Sequence, residues 1–362
     1  MKIILVVGAR PNFMKVAPIL HALVKQSVVQ SVQVKLVHTG QHYDRAMSTS
    51  FFEDLDIPQP DVHLGVGSGS HAEQTAKVMV GFEGVCLTEQ PDWVVVVGDV
   101  NSTLACAITA KKLGIKTAHV EAGLRSRDMS MPEEINRLCT DAIADLLFTT
   151  DEIANQNLAQ EGVHPDRICL VGNTMIDTLL KHLTRAENLP LPAGVSNGGY
   201  GVVTLHRASN VDTAQTLLPL IEMMQTVSRD LPLVFPIHPR TRKNLETFGV
   251  SMPAGSNIKL TEPLGYLEFI GLVSHANFVL TDSGGIQEET TVLGVPCLTM
   301  RNNTERPITC SVGTNRLVGT DPETIKGAVA SVIHGERPVK RIPPLWDGHA
   351  AERIVGRVLS AA

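Results

Sequence analysis

Short β-branched runs alternate with longer amphipathic stretches along the whole chain. A run such as Trp93–Val97, WVVVV, has no polar face, so it suits a strand covered on both sides by helices, as in a parallel sheet. The alternation predicts an α/β fold of the doubly wound type. In the first half the predicted strands are Lys2–Val7, Val34–His38, Trp93–Val97, Lys116–Val120, Leu146–Thr149 and Ile168–Val171. In the second half they are Gly201–Leu205, Leu233–Ile237, Asn277–Leu280 and Val295–Met300.

A chain of 362 residues exceeds the roughly 250–300 at which single cores stop growing, so two domains are expected. The stretch Glu187–Gly201, with two prolines and four glycines and almost no periodicity, reads as a connection. Asn173–His182 reads as a helix that could start the second domain or bridge to it, and the boundary is placed near Gly172. The expected domains are therefore 1–172 and 173–345. The last helix, Ala350–Ser360, carries apolar Ile354, Val355, Val358 and Leu359. By fold analogy, residues 346–362 are expected to return to the first domain.

Charge and cysteine usage narrow the class. With 31 Lys+Arg against 37 Asp+Glu, the net charge of -6 argues against a nucleic-acid or anionic-membrane partner. No apolar run approaches the ~20 residues of a membrane span, and MKIILVVGARPNF lacks the long apolar core and cleavage site of a signal peptide, so the cytoplasm is the expected location. The six cysteines stand far apart without zinc spacing, and no H-E-x-x-H occurs among the histidines. No metal is expected.

In open parallel sheets ligands bind beyond the carboxyl ends of the strands, so the polar residues there are the candidates. Strand Lys2–Val7 runs into Gly8-Ala9-Arg10-Pro11-Asn12, with Lys15 a turn later. Arg10 and Lys15 beside a helix N-terminus suit a phosphate, the alternative being two ordinary solvated charges. Asp99 and Glu121 each follow a strand, and Glu133, Glu134 and Arg137 follow in PEEINR. Acids after Pro132 also fit plain helix capping. Gathered in one cleft, such carboxylates cannot all ionise cheaply, which leaves one as acid and another as base.

The second half repeats the arrangement. His206, with Arg207 and Asn210, follows Val202–Leu205 and could serve as a general acid or base, or hydrogen-bond a departing oxyanion. Asp282-Ser283-Gly284-Gly285 opens a helix that carries Glu289: the glycines bare backbone N–H groups for a diphosphate, and Glu289 could accept from ribose hydroxyls. Arg306 offers a further cation. A Walker loop is missing and the nearest G-x-G-x-x-G candidate, at 65–70, is incomplete, so bound NAD is not expected.

These residues lie in GARPNFMKVAPIL (8–20), GQH (40–42), VGDVNST (97–103), HVEAGLRS (119–126), PEEINR (132–137), LHRASN (205–210), DSGGIQEE (282–289) and MRNNTERP (300–307). Taken in order, these motifs make the chain resemble the non-hydrolysing UDP-N-acetylglucosamine 2-epimerases over essentially its full length. The resemblance implies two Rossmann-like doubly wound domains facing a central cleft, similar to GT-B glycosyltransferases, and a homodimer needing no cofactor. It implies that Arg10, Lys15, Ser283, Gly284, Gly285 and Arg306 handle the UDP phosphates or their surroundings, that Glu289 holds the ribose and that Phe269 lines the uridine pocket. Asp99, Glu121, Glu133, Arg137 and His206 match the catalytic group. The implied reaction is reversible C2 epimerisation through elimination of UDP, serving cell-envelope polysaccharide precursors.

Departures from the family pattern include Ala9 and Asn12 where Thr and Glu are usual, and Leu264 where a polar residue is frequent. Some members bind a second UDP-N-acetylglucosamine as activator partly through GQH, of which Gln41 and His42 are present, but Ser68–Gln74 does not clearly match. A modified UDP-sugar such as a diacetamido uronic acid is the alternative substrate, and a GT-B glycosyltransferase the alternative enzyme. A hydrolysing relative and a silent nucleotide-sugar binder rank lower, because DSGGIQEE, MRNNTERP and every acidic and histidine position are present.

Overall fold

Each of the ten predicted strands is present, and every strand pairing among the described residues is parallel. The protein is described here by a computed structural model covering residues 1–27, 31–40, 52, 54–250 and 256–361. It divides into two units, Met1–Lys181 with Pro344–Ala362, and His182–Pro343, the division falling within the helix Thr174–Glu187.

The first unit holds β1 (Lys2–Val7), β2 (Gln33–His38), β3 (Val62–His63), β4 (Trp93–Val97), β5 (Lys116–Ala122), β6 (Leu146–Thr149) and β7 (Ile168–Leu170), in the order β3-β2-β1-β4-β5-β6-β7. All five residues of β4 are buried, as a strand covered on both faces requires. The second unit holds β8 (Gly201–Thr204), β9 (Leu233–Pro236), β10 (Ile258–Thr261), β11 (Phe278–Thr281), β12 (Cys297–Thr299) and β13 (Asn315–Leu317), in the order β10-β9-β8-β11-β12-β13. Strand order reverses beside β1 and β4 in one sheet and beside β8 and β11 in the other. These are the switch points at which doubly wound sheets bind ligands.

Three strands were not expected from the sequence. β3, β10 and β13 are edge strands of two, four and three residues, and half-exposed edges need no apolar run. The segment after Glu187 carries no helix or strand until Gly201.

The chain's last stretch is pinned into the first unit. Trp346 donates from Nε1 to the Thr150 carbonyl at 2.9 Å, and Asp177 caps the helix Ala350–Ser360 by accepting from the amides of Ala350 (3.1 Å) and Ala351 (2.7 Å). Gly172, at φ +89°, lets this segment pass, since a Cβ there would run into the Leu345 carbonyl. Among the described residues no helix is long and apolar enough to cross a membrane.

Candidate active site

In the first unit the site is built where β1, β4 and β5 end. The helix Arg10–Ser27 begins directly after β1, with Pro11 in its first turn, and carries Asn12 and Lys15 on its inner face. Asn12 ties the turn together: Oδ1 accepts from Ala9 N at 3.0 Å and Nδ2 donates to the Val97 carbonyl at 2.9 Å. Lys15, buried, forms an ion pair with the buried Glu121. Gly98 turns the chain at φ +72°, and a Cβ there would lie 3.4 Å from both Glu121 Oε2 and Lys15 Nζ. The turn, the cation and the carboxylate therefore share one small space.

Glu121 itself has φ +71°, a left-handed backbone that a side chain normally avoids, at the point where the register of β5 against β6 shifts. Such strain costs about 1–3 kcal/mol and persists only where the surroundings enforce it. Here it re-aims a carboxylate from the strand toward Lys15.

Asp99 is paired by Arg137, whose guanidinium is buried and also binds Glu134 through Nε at 2.9 Å and Nη2 at 2.6 Å. Glu134 accepts in addition from the amides of Ser126 (3.0 Å) and Arg127 (2.8 Å). Burial pushes the Glu134 carboxyl up, but these amides and Arg137 outweigh it and hold the group below its ordinary range. Glu134 is thus a fixed anion orienting Arg137. Its neighbour Glu133 is exposed and makes no hydrogen bond or ion pair among the described residues.

In the second unit the site lies where β8 and β11 end. Asp282, fully buried, accepts from the amides of His206 (3.0 Å) and Arg207 (2.8 Å) and from Asn210 Nδ2 (3.2 Å), and its Oδ1 lies 2.9 Å from His206 Nδ1. Burial pushes the Asp282 carboxyl up; His206 and the amides win and hold it low. An anionic Asp282 fixes the Nδ1–H tautomer, leaving Nε2 of the part-exposed His206 free to exchange a proton.

The helix Gly284–Leu293 starts two residues after Asp282. Ser283 makes no side-chain capping bond and no acid occupies the first turn, so the helix offers its first N–H groups to an anion. Gly284 has no room for a side chain, because a Cβ would sit 2.5 Å from Glu305 Oε1 and 2.6 Å from Arg306 Nη1. Arg306 pairs with Glu305 and, through Nε at 2.9 Å, with Glu288. Burial raises the Glu305 carboxyl, but Arg306 and Arg301 overcome it and keep the group ionised. One turn on, burial pushes Glu289 up to about 8 against the opposing influence of the nearby Tyr266 hydroxyl, with Glu288 adding to the rise. Phe269, half-buried on the helix Tyr266–Ser274, packs beside Leu264 against the core of this unit.

The structure thus brings Lys15 to Glu121, Arg137 to Asp99, and Ser283, Gly284 and Arg306 to one helix head. The Arg10 side chain, Gln41 and His42 lie outside the described residues. Sequence reasoning assigned Asp282 no catalytic part; its position one strand over from His206 was the signal, visible only once β8 and β11 are known to be neighbours.

Carboxyl-end constellations of this kind, on two doubly wound sheets, define an α/β enzyme equipped for acid–base chemistry. The family model described as UDP-N-acetylglucosamine 2-epimerase matches residues 25–359. A UDP-N-acetylglucosamine 2-epimerase of Methanocaldococcus jannaschii is 44% identical over 369 residues, covering 99% of each chain. A UDP-2,3-diacetamido-2,3-dideoxy-D-glucuronate 2-epimerase of Pseudomonas aeruginosa is 42% identical over 329 residues, covering 90% of each. The crystal structure of the M. jannaschii enzyme in complex with UDP-GlcNAc and UDP matches with a TM-score of 0.90 over 100% of both chains at 44% identity. The chain belongs to the UDP-N-acetylglucosamine 2-epimerase family.

Proposed function

We propose that this enzyme interconverts UDP-N-acetylglucosamine and UDP-N-acetylmannosamine by eliminating UDP to 2-acetamidoglucal and adding it back. The observation that carries the reading is the pair of carboxylates Asp99 and Glu121 on neighbouring strand ends, each held by its own cation. The C2 proton of an N-acetylhexosamine is not adjacent to a carbonyl, so direct deprotonation is hopeless. Loss of UDP from C1 removes the difficulty. As the C1–O bond breaks and C1 gains oxocarbenium character, a carboxylate takes the C2 proton; a proton is then delivered to the opposite face of C2 and UDP returns to C1.

Asp99, Glu121 and Glu133 share the proton work, each positioned transfer contributing roughly 10²–10⁴-fold. Arg137 orients Asp99. His206, its ring set by Asp282, assists the departing UDP oxygen. Arg10, Lys15, Arg306 and the helix head Ser283-Gly284-Gly285 receive the diphosphate, Glu289 the ribose and Phe269 the uridine. The chemistry requires no redox cofactor. On this reading the enzyme is a homodimer supplying cell-envelope polysaccharide precursors, as the family resemblance implies, and works in the cytoplasm.

A second substrate has specific support in the P. aeruginosa relative, whose named substrate is a diacetamido uronate. Incubation with each UDP-sugar in D₂O, followed by NMR, decides. Deuterium at C2 with both epimers present is the expected result for UDP-N-acetylglucosamine. Exchange only with the diacetamido uronate would reassign the substrate, and free N-acetylmannosamine with UDP would replace epimerisation by hydrolysis.

A further inference from the structure

His119 belongs to the HVEAGLRS motif, yet none of the chemistry above uses it. It points from β5 into the protein, fully buried, with Nδ1 2.6 Å from Asp141 Oδ1 and Nε2 2.8 Å from the Gly98 carbonyl oxygen. A carbonyl oxygen can only accept, so Nε2 carries a proton. Asp141 gives its other oxygen to the Arg125 guanidinium and the Gly123 amide, both donors, so the carboxylate is an acceptor on every side and Nδ1 donates to it as well. The ring is then an imidazolium.

Its surroundings are arranged to hold that charge. Asp141 Oδ2 lies 2.7 Å from Arg125 Nη1 and accepts from Gly123 N at 3.0 Å, while Arg125 forms a bidentate pair with Glu161 at 2.8 and 2.6 Å. Two cations thus face two carboxylates. A buried network of this type is commonly no more stable than an apolar replacement, so its presence calls for a task beyond stability.

The task is visible in what the pair grips. His119 binds the carbonyl of Gly98 and Asp141 binds the amide of Gly123, and both are turn glycines, at φ +72° and +80°. Gly98 immediately precedes Asp99. Gly123 closes the turn after Glu121, whose own backbone is left-handed. The pair therefore fixes the turn just before Asp99 at the end of β4 and the turn just after the left-handed Glu121 at the end of β5.

We infer that His119, as an imidazolium held by Asp141, is a positioning residue that sets Asp99 and Glu121 through the Gly98 carbonyl and the Gly123 turn. It rests on the reading of those carboxylates as the proton-transfer groups. A misplacement of about 1 Å at such a group costs on the order of 100-fold in rate, which sets the size of the expected effect.

Two measurements test it. In protein labelled with ¹⁵N-histidine, the His119 signals, assigned by their loss in His119→Gln, should show both ring nitrogens protonated at neutral pH; an unprotonated ring nitrogen in the wild-type protein overturns the inference. In C2-deuterium exchange with UDP-N-acetylglucosamine, His119→Leu should lower kcat about 100-fold with KM within about threefold, and His119→Gln, whose amide can still donate to Gly98, should recover at least about tenfold. A loss of melting temperature with kcat unchanged per UDP-binding molecule means a merely structural histidine and sinks the positioning role. Wild-type protein that exchanges no C2 proton from any UDP-sugar defeats the functional reading instead, and the nitrogen spectrum still judges the imidazolium.

Discussion

His206 and Asp282 stand 76 residues apart in sequence, and the pairing of β8 with β11 brings His206 Nδ1 to 2.9 Å from Asp282 Oδ1. The carboxylate fixes the tautomer, so the two act as one unit. Asp282→Asn should lower kcat about 10²–10⁴-fold, as should His206→Ala, and the double variant should be scarcely worse than either alone. Steady-state kinetics on all three check this. Additive losses would show that Asp282 does not work through His206.

Lys15 and Glu121 form a buried ion pair, and removing one partner of such a pair strands the other. Lys15→Met should therefore destabilise the protein by about 3–5 kcal/mol, whereas Lys15→Met combined with Glu121→Gln should regain much of that stability. Activity should stay lost in both. Urea unfolding of the four proteins in the cycle gives the coupling, and a cycle that closes additively would deny the pair any mutual dependence.

Asp99, Glu121 and His206 were legible as candidates because a polar residue directly after an apolar strand run declares its place at the sheet's carboxyl edge, whereas Lys15 and Arg137 sit on the helices that follow. Adjacent residues on a helix were not so readable. Glu133 and Glu134 have the same local sequence signal, and only three-dimensional neighbours, Arg137 and two loop amides, make one a buried anchor and leave the other exposed. The left-handed backbone of Glu121 is invisible in sequence for a related reason: propensity argues against it, and the tertiary frame of Lys15 and the β5 bulge overrides propensity. Edge strands such as Asn315–Leu317 escaped because three residues with one side open carry no periodicity.

Glu289 makes stability depend on pH in a defined direction. Its carboxyl is raised from 4.5 to about 8, first by burial and then by Glu288, against Tyr266. Between those values the folded chain keeps a proton that the unfolded chain releases, so stability falls as pH rises across that window and levels off above it. Glu289→Gln removes the titration. Its melting temperature relative to wild type should climb steadily from about pH 5 to about pH 8, in ligand-free protein, by differential scanning fluorimetry. A pH-independent difference between the two would place the titration elsewhere.

Gly284 carries the sharpest steric demand at the helix head. A Cβ would sit 2.5 Å from Glu305 Oε1 and 2.6 Å from Arg306 Nη1, and those side chains cannot swing aside cheaply because Arg306 is also held by Glu288 and Glu305 by Arg301. The added methyl must push the guanidinium off the helix N-terminus. Gly284→Ala should thus weaken UDP binding by at least about tenfold, equivalent to about 1.4 kcal/mol, as isothermal titration calorimetry would read. The carboxylates Asp99 and Glu121 lie in the other unit and keep their own cations, so the circular dichroism spectrum and the Lys15–Glu121 coupling energy should be unchanged. UDP affinity equal to wild type would mean that the Arg306 guanidinium and this helix head do not receive the diphosphate.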